Sequence, residues 1–209
     1  GSEMCIRDSQ EGERTRTCTV CGEKEREALP ANEDHCPSKV FSDVDTSLWY
    51  HEGVDYVVRN KLMIGVSETL FHPNHNLTRG QLMLILYRMA ESPEVDGKSP
   101  FTDVAEGQFY SDAVAWAYEN EIAMGVTDTR FAPEAPATRE QVVTFLYRYA
   151  KFVGMDVSAQ GSLRDFSDGQ TVSAYAEEAV AWAVGRGLLV GDNGNLLPRD
   201  TATRAQLAT

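Results

Sequence analysis

Three arginines stand at one register of this chain. Thr78-Arg79-Gly80-Gln81 recurs as Thr138-Arg139-Glu140-Gln141 and again as Thr203-Arg204-Ala205-Gln206. Thr-x-x-Gln ahead of an apolar run is a capping-box signature: the hydroxyl takes the amide three residues on, and the glutamine side chain reaches back. Thr78, Thr138 and Thr203 are therefore predicted N-caps, closed by Gln81, Gln141 and Gln206. Arg79, Arg139 and Arg204 then occupy first helical positions, where the helix dipole disfavours a cation by about 0.3–1 kcal/mol. On that account, replacing one of them by alanine is expected to leave stability unchanged or to raise it. One reading of the arginines is a salt bridge to acidic residues of the preceding unit. The other is an anion site, in which guanidinium and free helix N–H groups together take a carboxylate or phosphate. Recurrence of the cation in a chain of net charge -13 favours the anion site.

A second candidate chemistry lies near the start. Cys5, Cys18, Cys21 and Cys36 are all of the cysteines. Cys18-Thr19-Val20-Cys21-Gly22 has the spacing of a zinc knuckle, and Cys18, Cys21, His35 and Cys36 would complete a Cys₃His set. A disulfide in an extracellular setting and free or partly paired thiols are the alternatives. Zinc at this segment is the one cofactor considered, and none is required elsewhere.

No nucleophile elbow, phosphate loop or HExxH zinc helix is present. His72 and His75 flank Pro73 but do not recur, so no enzymatic activity is expected. Asp43 and Asp45 lack the remaining ligands of a calcium loop, and Asp43, Asp103 and Asp168 are read as N-terminal turn or cap residues. Trp49, Phe109 and Tyr175 hold matching places in three units, as sugar-stacking rings or as core and groove-wall residues.

The elements that position these residues repeat. Residues 41–91 align with 101–151 without a gap at an offset of 60. A third copy starts at Phe166-Ser167-Asp168, with Leu197 taken as the counterpart of Phe71 and Phe131. Each copy reads as helix, loop, helix. Val54, Val57, Val58 and Leu62 follow the helical period, as do Val114, Ala117, Tyr118 and Ile122, and Val180, Ala183, Val184 and Leu188. Gly65, Gly125 and Gly191 then fall where a left-handed helix terminus favours glycine. Leu82, Ile85, Leu86 and Met89 make the stripe of the second helix, and Val142, Phe145, Leu146 and Tyr149 its counterpart.

The organisation is thus a cysteine-containing segment (1–40) and three repeats (41–91, 101–151 and 164–209), joined by linkers at 92–100 and 151–163. A unit of this size buries little surface alone, so the copies should share a core. Thr209 falls just inside the helix that Thr203 should start, and the sequence is expected to be part of a longer protein. The acidic balance argues against nucleic acid. No apolar run approaches the roughly 20 residues of a membrane span.

Phe41-Ser42-Asp43-Val44, Trp49-Tyr50, Gly65, Phe71-x-Pro73 and Leu77-Thr78-Arg79-Gly80-Gln81, with their later copies, resemble the S-layer homology domain. The resemblance covers residues 41–209. It implies a mostly α-helical fold with the three repeats in pseudo-threefold arrangement. It also implies non-covalent anchoring of an exported surface protein to the bacterial cell wall, through an acidic, pyruvylated secondary polysaccharide attached to peptidoglycan. The Thr-Arg motifs would lie in grooves between units and meet the acidic substituent. The family's usual final glutamate is glutamine in all three copies, which keeps the cap and removes a charge. A structural module for protein–protein assembly of a surface layer is the alternative.

Overall fold

The computed structural model describes residues 12–17, 24–29 and 36–209. Cys5, Cys18, Cys21 and His35 lie outside the described residues. Strands β1 (Gly12–Thr17) and β2 (Lys24–Leu29) pair antiparallel, with Gly12 opposite Leu29. The helices are α1 (His51–Arg59), α2 (Arg79–Met89), α3 (Ser111–Glu119), α4 (Arg139–Phe152), α5 (Glu177–Gly185) and α6 (Arg204–Ala208), with a 3₁₀ turn at Pro37–Val40 ahead of α1. The chain divides into two compact units. One runs to Pro73 and includes Ala208–Thr209, and the other is Asn74–Leu207.

The first helix of each copy is shorter than its apolar period suggests. It stops at Arg59, Glu119 or Gly185. After α1, Leu62 donates its amide to the Val57 carbonyl at 2.8 Å, and Lys61 donates to Val58 at 3.0 Å. Ile122 and Glu121 repeat that pairing after α3, and Leu188 and Gly187 after α5. This is the Schellman arrangement, and it needs a left-handed residue. Lys61 (φ 56°), Glu121 (φ 56°) and Gly187 (φ 71°) supply it. Gly65, Gly125 and Gly191 therefore do not terminate helices, contrary to expectation. Leu62, Ile122 and Leu188 stand beyond the helix, and Met63, Ala123 and Leu189 are the buried residues that follow.

The loop after the first helix is held by an aspartate. Asp43 accepts the amides of Phe71 at 2.8 Å and His72 at 2.7 Å. Asp103 accepts Phe131 and Ala132, both at 2.8 Å, and Asp168 accepts Leu196 at 2.7 Å and Leu197 at 2.8 Å. These carboxylates are loop clamps, not the local caps predicted. Leu196, fully buried, is thus the counterpart of Phe71 and Phe131, in place of the predicted Leu197. His72, Ala132 and Leu197 all take positive φ at the clamped turn, near 58°, 59° and 53°.

In the second unit the second helix of one copy packs on the first helix of the next. Tyr87 of α2 lies against Trp116 of α3 with ring centroids 5.6 Å apart, and Tyr147 of α4 against Trp182 of α5 at 5.5 Å. Val143, Ala150, Ala176, Val180 and Ala183 close the α4–α5 core. Within the second unit adjacent copies thus share apolar packing, as the sequence implied for the repeats.

The three motif starts are joined directly. Ala137 donates to the Leu77 carbonyl at 2.8 Å, Ala202 to Ala137 at 2.9 Å, and Leu77 to Ala202 at 2.9 Å. Each residue gives one hydrogen bond and receives one, so the ring closes on itself. This places Thr78, Thr138 and Thr203 around one point of the second unit.

Candidate functional site

Each motif opens its helix through the capping box that the sequence indicated. Gln81 donates its amide to Thr78 Oγ1 at 3.2 Å, while Gln81 Oε1 accepts the Thr78 amide at 3.2 Å. Thr138 and Gln141 do the same at 3.4 and 3.2 Å, and Thr203 and Gln206 at 3.2 and 2.9 Å.

At α2 and α4 the remaining amides of the first turn are also claimed, as is that of Arg204 at α6. Arg79 N–H donates to Ala135 O at 3.0 Å and Gly80 N–H to Pro133 O at 2.8 Å. Arg139 N–H reaches Asp200 O at 2.8 Å, Glu140 N–H reaches Pro198 O at 2.9 Å, and Arg204 N–H reaches His75 O at 2.9 Å. The helix N–H groups expected to be free beside Arg79 and Arg139 are therefore not free, nor is that of Arg204. The carbonyls of another copy satisfy them, because the closed ring brings those loops onto the helix starts. Any anion site at these helices rests on guanidinium groups.

Arg79 is only 3% exposed. Its Nε donates to Phe131 O at 2.8 Å and its Nη2 to Met124 O at 3.2 Å. Its guanidinium lies 4.4 Å from the Phe131 ring centroid and 5.2 Å from that of Phe145, a cation–π sandwich. Burial pulls its pKa down to about 10, against the opposing fields of Tyr175 and Asp103. Arg139 is half-buried, and its guanidinium makes a single bond, Nε to Leu196 O at 2.9 Å. Neither guanidinium is paired with a carboxylate at salt-bridge distance among the described residues, and Asp103 and Asp168 act on Arg79 and Arg139 only through their fields. Arg204 is buried at the start of α6.

The three aromatic positions are exposed: Trp49 63%, Phe109 56% and Tyr175 53%. Trp49 stands edge-on to Tyr50 at 5.5 Å, and Phe109 to Tyr110 at 4.9 Å. Tyr175 differs, because its hydroxyl donates to Glu140 Oε1 at 3.1 Å. Burial, then the charge and hydrogen bond of Glu140, push the Tyr175 phenol up to about 12. The amide and hydroxyl of Ser173 also donate to the buried Glu140 carboxylate, at 3.0 and 2.8 Å. In the preceding copy Gly80 stands where Glu140 does. A Cβ there would come within 2.8 Å of Tyr110 Cδ1, so the Tyr110 ring fills that space instead.

The predicted glycines serve close approach. A Cβ on Gly125 would collide with the carbonyls of Thr127 and Arg130 and with the Phe101 ring, and one on Gly65 with Ser67 and Phe41. Gly191 alone of the three has positive φ, at 75°. The structure thus gathers Arg79, the Met124–Gly125 turn, Phe131 and Tyr175 in one neighbourhood, and Arg139 with Leu196 in another. Trp49 and Gly65 belong to the first unit. Sequence reasoning missed Glu140 and Phe145 as neighbours of these groups. It also missed the clamping role of Asp43, Asp103 and Asp168, although their equal spacing from Phe71, Phe131 and Leu196 was a usable signal.

Among the described residues, no helix is long and apolar enough to cross a membrane. The profile of the S-layer homology domain matches residues 40–83, 100–143 and 165–208. The chain is 30% identical over 161 residues to the surface-layer 125 kDa protein of Lysinibacillus sphaericus, covering 75% of this chain and 13% of that protein. It is 26% identical over 172 residues to the S-layer protein sap of Bacillus anthracis, covering 81% and 20%. An endoglucanase of Bacillus sp. (strain KSM-635) is 29% identical over 178 residues, covering 85% of this chain and 19% of the enzyme. The chain thus spans about a fifth or less of the length of these relatives. Two proteins named as surface-layer proteins and one named as an endoglucanase thus each match most of this chain. The chain belongs to the S-layer homology domain family, which serves at the family level in anchoring to the cell wall or cell surface.

Proposed function

We propose that this chain anchors a larger exported protein by binding an acidic, pyruvylated secondary polysaccharide of the cell wall, and that it does so without catalysis or a required cofactor. The observation that carries this reading is Arg139. Its guanidinium is fixed by one Nε–carbonyl bond, it is only half-buried, and its Nη protons have no protein acceptor among the described residues. A guanidinium so held offers a planar fork to a carboxylate, such as that of a pyruvyl acetal. Arg79 is more deeply set, and its Nη1 protons are likewise unclaimed among the described residues. The exposed faces of Trp49, Phe109 and Tyr175 suit sugar rings.

The test is co-sedimentation with purified cell-wall sacculi, before and after chemical release of the secondary polymer, and with polymer stripped of its pyruvyl groups. The reading expects binding to intact sacculi alone. Equal binding to stripped sacculi would transfer the role to peptidoglycan or to protein–protein assembly.

A further inference from the structure

Three side chains of the first unit aim metal-ligating atoms at one point. We propose that Cys36, His51 and Asp55 form a binding site for a divalent transition metal of the zinc type, through Sγ, Nε2 and Oδ2. Cys36 precedes the 3₁₀ turn Pro37–Val40, while His51 opens α1 and Asp55 lies one turn further along it. Nε2 is 3.0 Å from Sγ and 3.2 Å from Oδ2, and all three atoms lie within 4.8 Å of one another.

The convergence distinguishes this cluster from a proton relay. A relay runs through both ring nitrogens, one toward the thiol and one toward the carboxylate. Here the same nitrogen faces both. One ring nitrogen carries a proton or a lone pair, not both, so without a metal it either takes the thiol proton and turns a lone pair to the carboxylate, or splits one N–H between Oδ2 and the weakly accepting sulfur. A cation between the three atoms satisfies all of them. Tetrahedral zinc with bonds of about 2.0–2.3 Å spaces its ligand atoms roughly 3.3–3.6 Å apart, so a few tenths of an ångström of opening admits the ion between Nε2 and its two neighbours.

The surroundings suit such a site. Cys36 is 5% exposed, and Asp55 is buried. The Ser38 amide donates to Asp55 Oδ1 at 2.9 Å, which fixes the carboxylate and leaves Oδ2 for the ion, as an outer hydrogen bond does for a metal ligand. Burial raises the Cys36 thiol above its ordinary range, Ser38 opposes this, and the Asp55 charge adds to it. A metal ion reverses that balance, since it binds the thiolate and releases the proton. The fourth position is left to a donor outside the triad. His51 and Asp55 stand outside the Cys18, Cys21, His35 and Cys36 set that the sequence suggested. The ion would tie the 3₁₀ turn to α1.

The experiment is a cobalt(II) titration of the reduced full chain, followed by zinc competition. The expected result is a tetrahedral spectrum with thiolate charge transfer. Cys36→Ser and His51→Gln each remove a direct ligand and should each weaken affinity by more than the roughly ten- to hundredfold that loss of an outer-shell partner costs. Asp55→Asn, which retains an acceptor for Ser38, is the second variant should His51→Gln fold poorly, and it too should weaken binding. Zinc should raise the Tm of the parent and not that of His51→Gln. A cobalt spectrum and affinity indifferent to both His51→Gln and Asp55→Asn would place the metal on other cysteines and overturn the proposal. So would failure to bind cobalt, or recovery of Cys36 in a disulfide from protein isolated without reductant.

Discussion

Arg79 donates its Nε proton to the carbonyl of Phe131, 52 positions along the chain, at 2.8 Å. The amide of that same Phe131 is held by Asp103 at 2.8 Å. One loop residue is thus gripped at both ends, by a carboxylate of its own copy and a guanidinium of the preceding one. Leu196 is gripped the same way, by Asp168 at its amide and Arg139 at its carbonyl. The motif arginine therefore joins copies as well as presenting a cation.

That geometry reverses one expectation from the sequence. Removing a cation from a helix start should leave stability unchanged or raise it. Arg79→Ala, however, also leaves the fully buried Phe131 without the donor to its carbonyl and empties the space between two rings. A hydrogen bond to a charged group contributes about 1.5–3 kcal/mol, so urea denaturation of Arg79→Ala should show a loss of that order. Arg79→Lys should recover little, since an ammonium lacks the fixed fork. An unchanged midpoint for Arg79→Ala would show that the clamp contributes nothing.

The aspartate clamp gives a pH dependence. Burial raises the carboxyl pKa of Asp103 and Asp168, but the loop amides they accept, with the nearby charges of Arg130 and Arg139, outweigh it, and the net shift is downward in both. A carboxylate whose folded pKa is depressed contributes stability above its unfolded pKa of about 3.9. That stability is lost as pH falls through the folded value. The parent should therefore lose stability progressively below about pH 4. Asp103→Asn should be less stable at pH 7 and fall less steeply in acid. Parallel pH profiles for variant and parent would exclude the clamp as the source.

Glu121 occupies a left-handed position that the third copy gives to Gly187. A side chain there costs about 1–2 kcal/mol relative to glycine. Glu121→Gly is expected to raise Tm by a few degrees, less whatever Glu121 contributes through its own contacts. A lower Tm would mean that those contacts outweigh the backbone strain.

An isolated copy, residues 101–151, should be largely unfolded by circular dichroism. Trp116 loses Tyr87, and Tyr147 loses Trp182, because both ring pairs cross between copies. A sharp thermal transition in that fragment would contradict the shared core.

Local chemistry was legible in the sequence. The capping boxes at Thr78, Thr138 and Thr203 involve residues three apart, and all three form. The boundaries of the first helices were not, because Lys61 and Glu121 stop α1 and α3 without the glycine that marks such a stop. The loop glycines were misassigned for the opposite reason. Gly65 and Gly125 are small so that Phe41 and Phe101 can approach them, which no local spacing reveals. The partners of Asp103, Arg79 and Cys36 come from 15 to 52 positions away and exist only once the loops are folded.

The central claim is that an arginine at the motif start binds the polymer's acidic group, and Arg139 tests it best because its guanidinium is the less committed to the protein. Soluble pyruvylated polymer should be titrated calorimetrically into the parent, Arg139→Lys and Arg139→Ala, with Tm recorded on the same preparations. The account predicts about a ten- to hundredfold loss of affinity for Arg139→Ala, partial recovery in Arg139→Lys, and a folded protein throughout. Parent-like affinity in a folded Arg139→Ala would contradict it and leave the motif arginines as structural joints between copies.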